Sequence, residues 1–228
     1  MGTDVTHAGI PVSYRTVTAS TVQPTCRAIS LDELTRRGPV VVLAHSIDEI
    51  GAGAAGMLMA TLETSYASLF TLDGSAPGEH AAHPRLHSCS LRRAGTAPGV
   101  DDVDAAVARV HDALDRSCAD SVFVGAVPVT SPDHRFLDLV ARRAVAHRPC
   151  TAYWHFAAMR RTPPGASYLL HPDAIVRTFD VRRWSDRDER LSTSPRGEPA
   201  SRTNTHLPEL FWRNTDVSAL ARIDTAPA

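Results

Sequence analysis

Two short stretches carry most of the side chains that could do chemistry: "AHSIDE" at 44–49 and "SPDH" at 131–134. The first sets an imidazole, His45, three residues before the carboxylate of Asp48, with Glu49 next to it. The second sets Asp133 beside His134. Imidazole nitrogens and carboxylate oxygens are donors that zinc takes in catalytic sites, where one coordination position stays open. His45, Asp48 and His134 would supply three such donors if their two turns met. Taken singly, a histidine is a metal ligand in roughly one case in ten; otherwise His45 would cap a helix and His134 would start one at the surface. Two such stretches, each following an apolar run, favour the metal.

Those apolar runs must do the positioning. "VVVLA" (40–44) is a continuous hydrophobic run of strand length, of the kind a parallel sheet buries on both faces. "GAGAAGMLMATLE" then reads as a helix packed closely on a sheet, and "SYASLFTL" (65–72) as the next strand, ended by the turn signal Asp73-Gly74. "SVFVGAVPV" (121–129) and "CTAYWHFAAM" (150–159) are further strands. Between them lie two amphipathic helices. The first aligns Val103, Val107, Val110 and Leu114 on one face, and the second is "DHRFLDLVARRAVAHR". Strands and helices alternating at these lengths predict an α/β fold with a Rossmann-like, doubly wound, mostly parallel sheet. In such sheets ligands sit beyond the carboxyl ends of the strands, where both stretches fall.

The rest of the chain is less regular. Residues 1–37 are polar, with "YRTVTAS" and "CRAISL" as short strands. Residues 74–100, rich in Gly, Pro, Ser and His, read as a long irregular excursion. The tail after Trp184 reads as loop-rich, with "LPELFW" a docking segment. The loop from Gly74 to Gly99 and this tail are expected to wall the pocket. One domain over 1–228, with its core at about 38–180, is the simplest organisation for this length.

Composition narrows the function classes. The chain has 24 basic and 25 acidic residues, a formal net charge of -1, so neither a nucleic-acid footprint nor a polyanionic tail is indicated. Every basic residue is Arg, which excludes lysine Schiff-base chemistry and any lysine-containing phosphate loop. Cys26, Cys89, Cys118 and Cys150 are scattered, without a CxxC pair, and fit thiols better than a disulfide framework. Neither a signal peptide nor a membrane span is expected, so the reading is cytoplasmic, with a small-molecule partner. Association into a homo-oligomer is left open.

At these stretches the chain resembles the PIG-L/LmbE-like zinc-dependent deacetylases, which remove acyl groups from N-acetylglucosamine-type sugars, mycothiol precursors and antibiotic intermediates. "AHSIDE" is similar to that family's A-H-P-D-D-E, "TLDG" (71–74) to its T-D-G, and "SPDH" to its H-x-D-H, in the same order. "YWHFAA" (153–158) echoes the Y-E-D-x-P-Y of one branch. The likeness covers about residues 39–160. It implies one divalent metal, zinc, on His45, Asp48 and His134, and a role in bacterial secondary metabolism.

The resemblance also shows what is missing. The family's general base falls on Ile47, and its carbonyl-polarising histidine on Ser131. A positioned acid–base group contributes about 10²–10⁴-fold and an oxyanion donor about 10²–10³-fold. Losing both should cripple amide hydrolysis by the ordinary route. Glu49, Asp133 and His155 are the candidate substitutes. Glu49 and Asp133, each beside an expected ligand, more often orient such ligands, and His155 is more often a core or rim residue. His80, His83 and His87 lack a rigid element and read as pocket-rim side chains. Three readings stay open: an enzyme acting on a small amide, amine or amino-sugar-type substrate by altered or non-hydrolytic chemistry; an ordinary deacetylase with a substitute base; and a catalytically silent metal- or ligand-binding scaffold.

Overall fold

Val40–Ala44 form a strand in which all five residues are buried, as the unbroken apolar run requires. The computed structural model describes residues 5–7, 10–12, 15–18, 27–28, 30–35, 38–74, 83–91, 100–125, 127–128, 131–146, 148–155, 167–170, 175–180 and 209–213. In chain order the elements are β1 (Val5–His7), β2 (Ile10–Val12), β3 (Arg15–Thr18), β4 (Arg27–Ala28), α1 (Leu31–Thr35), β5 (Val40–Ala44), α2 (Ile47–Gly53), α3 (Ala55–Thr64) and β6 (Ala67–Thr71). They continue with β7 (Leu86–Ser90), α4 (Val100–Ser117), β8 (Ser121–Gly125), β9 (Val127–Pro128), α5 (Pro132–Val145), β10 (Thr151–His155), β11 (Ser167–Leu170), β12 (Ile175–Phe179) and β13 (Glu209–Arg213).

The main sheet runs β4-β12-β13-β10-β8-β5-β6-β7. From β10 to β7 its five strands are parallel; β13 then pairs antiparallel with both β10 and β12. The chain steps outward from β5 through β6 to β7, returns to the other side of β5 as β8, and steps out again to β10. This is the doubly wound α/β fold, and its order reverses between β5 and β8. In such sheets the reversal is where ligands bind, beyond the carboxyl ends of the two strands.

Side-chain alternation along β5 sorts the core into two layers. Val41 and Leu43 face the helices α4 and α5 in a cluster that includes Phe70, Val110, Leu114, Val124, Leu137 and Val140. Val40, Val42 and Ala44 face the other way, against Ile47, Ile50, Met57, Leu58 and Leu62 of α2 and α3. The small-residue run after β5 is two helices rather than one, broken at Ala54, and the first begins four residues earlier than expected, at Ile47.

Two expectations are corrected. Residues 86–90, assigned to an irregular excursion, form β7, the edge strand; this segment is part of the sheet and does not reach over the strand ends. Its sequence "LHSCS" lacks the β-branched residues that mark strands, and pairing with β6 supplies what propensity does not. "ELFWR", which overlaps the expected docking segment, is β13, an integral strand between β10 and β12. Residues 75–82, 92–99 and 181–208 lie outside the described residues, and with them His80 and most of the two expected pocket walls. Among the described residues, no helix is long and apolar enough to cross a membrane.

Candidate functional site

The site is built from the turns that follow β5 and β8. At the first, Ser46 caps α2 with extended backbone (φ -145°, ψ 166°), and its Oγ accepts from the Glu49 N–H at 3.4 Å. The helix phase then distributes its first turn. Ile47 and Ile50, three apart, turn into the core, and Asp48 points outward and is exposed. Glu49 turns toward β8 and is buried.

Glu49 is pinned from both sides. Its Oε2 accepts from the backbone N–H of His45 at 2.6 Å, and its Oε1 lies 3.0 Å from His134 Nε2. The carboxylate rests over Gly125 at the end of β8. A Cβ on that residue would stand 1.7 Å from Glu49 Oε1, so only glycine admits it there.

At the second turn, Ser131 caps α5 and Pro132 opens it, with Asp133 in the first turn, where an acid suits the helix dipole. Ser131 Oγ accepts from the His134 backbone N–H at 3.4 Å and lies 2.7 Å from His134 Nδ1. The ring of His134 is thus held at both nitrogens. The remaining pair joins His45 Nε2 to Asp133 Oδ2 at 3.4 Å, and the two imidazoles stack with centroids 5.8 Å apart and planes 17° from parallel.

Electrostatics favour a charged His134. Burial alone would lower its proton affinity, but the Glu49 hydrogen bond and the charges of Glu49 and Asp133 outweigh it, and the pKa is raised above the ordinary 6.5. In the protonated ring both nitrogens donate, Nε2–H to Glu49 and Nδ1–H to Ser131.

The sequence-derived candidates therefore separate. His45, His134, Glu49 and Asp133 come together. Asp48, expected as the third metal ligand, is exposed on the outer side of α2. His155 is placed by register opposite Gly125, at the same end of the sheet, and its side chain lies outside the described residues. Ile47, which the resemblance sets at the base position, is 3 % exposed and belongs to the core. Ser131, which the resemblance sets at the polarising-histidine position, is a helix cap that touches His134.

Gly125 escaped sequence reasoning, because nothing in "FVGAV" says what presses on the glycine. A signal for the placement of Glu49 is present: Ser46-x-x-Glu49 has the spacing of a capping box, in which the N3 acid folds back on the chain. Here it folds back one residue further, to the His45 N–H.

Whether these residues suit a zinc ion divides into kind and arrangement. Two imidazoles and two carboxylates at one strand-end crevice are donors of the right kind. The arrangement is two hydrogen-bonded pairs, and among the described residues no three His, Cys, Asp or Glu side chains are grouped to hold an ion.

No profile of a known protein family matches the chain, and no curated protein does either. Solved structures do. A deacetylase triple mutant from the teicoplanin biosynthetic pathway superposes with a TM-score of 0.54 at 13% identity, covering 78% of this chain and 99% of its own. The A40926 pseudoaglycone deacetylase Dbv21 gives 0.54 at 11% identity, covering 78% and 97%. A zinc-inhibited form of the teicoplanin deacetylase Orf2 gives 0.53 at 12%, covering 78% and 99%. At these identities the likeness is one of fold: the chain has the α/β fold of these deacetylases.

Proposed function

We propose that the chain is an enzyme of the deacetylase fold that acts on a small amide, amine or amino-sugar-type substrate at the crevice between β5 and β8. The observation that carries this reading is the crossed pairing of His45 with Asp133 and of His134 with Glu49, at the point where the sheet order reverses. Charged side chains gathered at a switch point suit a site better than they suit packing.

In this reading a divalent ion, zinc by donor type, would be held by His45 and His134, with Asp48, exposed on α2, as the third ligand that the resemblance implies. When bound, it would act as a Lewis acid on a substrate oxygen. The chain's own residues divide the remaining work. Glu49 orients: both its oxygens are engaged by groups of the protein, which ties His134 to the end of β5. Asp133, about a third exposed and paired with His45, is the acid best placed to take or return a substrate proton. Ile47 contributes no proton chemistry, so the ordinary base of such deacetylases has no counterpart at that position. This favours altered or non-hydrolytic chemistry.

The test joins metal analysis of the purified protein with turnover of acylated amino sugars and simple N-acyl amines. Bound zinc and turnover lost together in His45→Ala and His134→Ala support the reading. Turnover that survives both substitutions would overturn it. Ligand binding without turnover would favour a silent scaffold, a reading supported by the engagement of both imidazoles with acids of the chain.

A further inference from the structure

A concavity lies away from the β5/β8 turns, near the amino ends of β6 and β7, where the C-terminal turns of α4 pass over the edge strand. Its volume is about 580 Å³. Phe70, Leu86, Ala113 and Tyr66 make it largely apolar. Tyr66 is 60% exposed, a large aromatic surface left beside an open cavity.

Two lining residues, a thiol and an imidazole, are in contact. Cys89 Sγ lies 3.2 Å from His87 Nε2. Strand alternation accounts for the contact, since residues two apart on β7 share a face. Register against β6 sets His87 beside Ser68 and Cys89 beside Phe70. Cys89 is half-buried against the core and His87 exposed, so the thiol sits inward with a base at its outer side.

Arg85 and Arg116 line the same cavity. Arg85 is fixed by bonds from Nη1 to the Leu62 and Glu63 carbonyls at 3.3 and 2.6 Å, and Arg116 pairs with Asp112. With both arginines engaged elsewhere, the imidazole of His87 is the group that can make Cys89 nucleophilic.

We propose that Cys89 and His87 form a nucleophilic thiol site that takes small apolar electrophiles, aromatic disulfides foremost. The Sγ–H proton passes to His87 Nε2. The thiolate attacks one sulfur of the disulfide, the Cys89–sulfur bond forms as the reagent's own S–S bond breaks, and the departing thiolate takes the proton from the imidazolium. One disulfide enters, and one mixed disulfide and one thiol result. The cavity walls hold the aromatic portion. This site is independent of the crevice between β5 and β8.

The experiment treats the full chain with dipyridyl disulfide at neutral pH. It follows pyridinethione release and locates the modified cysteines by peptide mass spectrometry. Because His87 stands ready to take the proton as the thiol attacks, Cys89 should react about 10-fold faster than Cys118 and Cys150. Cys118 is exposed and Cys150 half-buried, which makes them controls for access. His87→Ala should bring Cys89 down to their rate, and Cys89→Ser should remove the fast phase with the circular dichroism unchanged. A small hydrophilic disulfide should show a smaller preference for Cys89. The proposal is overturned if Cys89 reacts no faster than Cys118, or if its rate survives His87→Ala. Should His87→Ala fail to fold, the Cys89-to-Cys118 ratio in the parent decides alone.

Discussion

His134 and Glu49 stand 85 residues apart in the chain and share a hydrogen bond of 3.0 Å across the point where the sheet reverses. Each imidazole of the site pairs with the acid of the other turn: His134 with Glu49, and His45 with Asp133. The two turns are thereby cross-linked by their own chemistry. Neither can shift without breaking a contact made by the other.

The first expectation concerns what makes room for this link. Gly125→Ala would press a methyl group into the Glu49 carboxylate. Overpacking of this kind costs about 1–3 kcal/mol, and because Glu49 is the far end of a side chain, some of that strain is relieved by moving it. The expected result is a lowered urea midpoint together with weakened coupling between Glu49 and His134. A double-mutant cycle of Gly125→Ala with Glu49→Gln measures this, since the two changes should be strongly non-additive.

Metal binding is the second. Under the proposed function, His45→Ala and His134→Ala should each weaken zinc binding by at least 10-fold, read by titration calorimetry. Asp48→Ala should weaken it comparably, although Asp48 is exposed on α2. An unchanged affinity in Asp48→Ala would move the third-ligand role to Asp133 or Glu49, both already at the imidazoles.

A third expectation follows from the raised pKa of His134 in the metal-free protein. Its folded-state value lies above the ordinary 6.5 of the unfolded chain, so folding favours the protonated ring. That stabilisation is fully present below pH 6.5 and is lost as pH rises through the elevated value. Urea midpoints of metal-free protein should therefore fall across that window, and Glu49→Gln should flatten the dependence. A dependence of the opposite sign would mean that burial, not the acids, governs the ring.

Much of the architecture could be read from the sequence because burial on both faces leaves an unmistakable run. Val40–Ala44 and Ser121–Gly125 are such runs, and the helices α4 and α5 on either side of the second carry a clear stripe. β7 was missed because an edge strand with His87, Ser88 and Cys89 needs its neighbour, not its own residues, to become a strand. The site shows the same division. Residue types and strand ends located His45, Glu49, Asp133 and His134. Which acid would meet which imidazole was not legible, because it depends on helix phase: one step along α2 separates an exposed Asp48 from a buried Glu49. Local spacing sets that phase only once Ser46 is recognised as the cap.

The last expectation concerns installing, by Ile47→Asp with Ser131→His, the deacetylase constellation that the resemblance implies. Ile47 is 3 % exposed and lies among Ala44, Ile50 and Leu58. An aspartate there would enter an apolar cluster, a change that costs about 2–5 kcal/mol unless the group is protonated or the helix shifts. Ser131→His removes the cap of α5, worth about 1 kcal/mol, and the hydroxyl that meets His134 Nδ1 at 2.7 Å. The double variant should therefore melt well below the parent and show no gain in hydrolysis of acetylated amino sugars, while the parent itself shows little. Thermal melts beside an amine-release assay decide it. A stable double variant that gains activity would show that position 47 can face the crevice. High activity in the parent would mean that Asp133 or His155 already serves as the base.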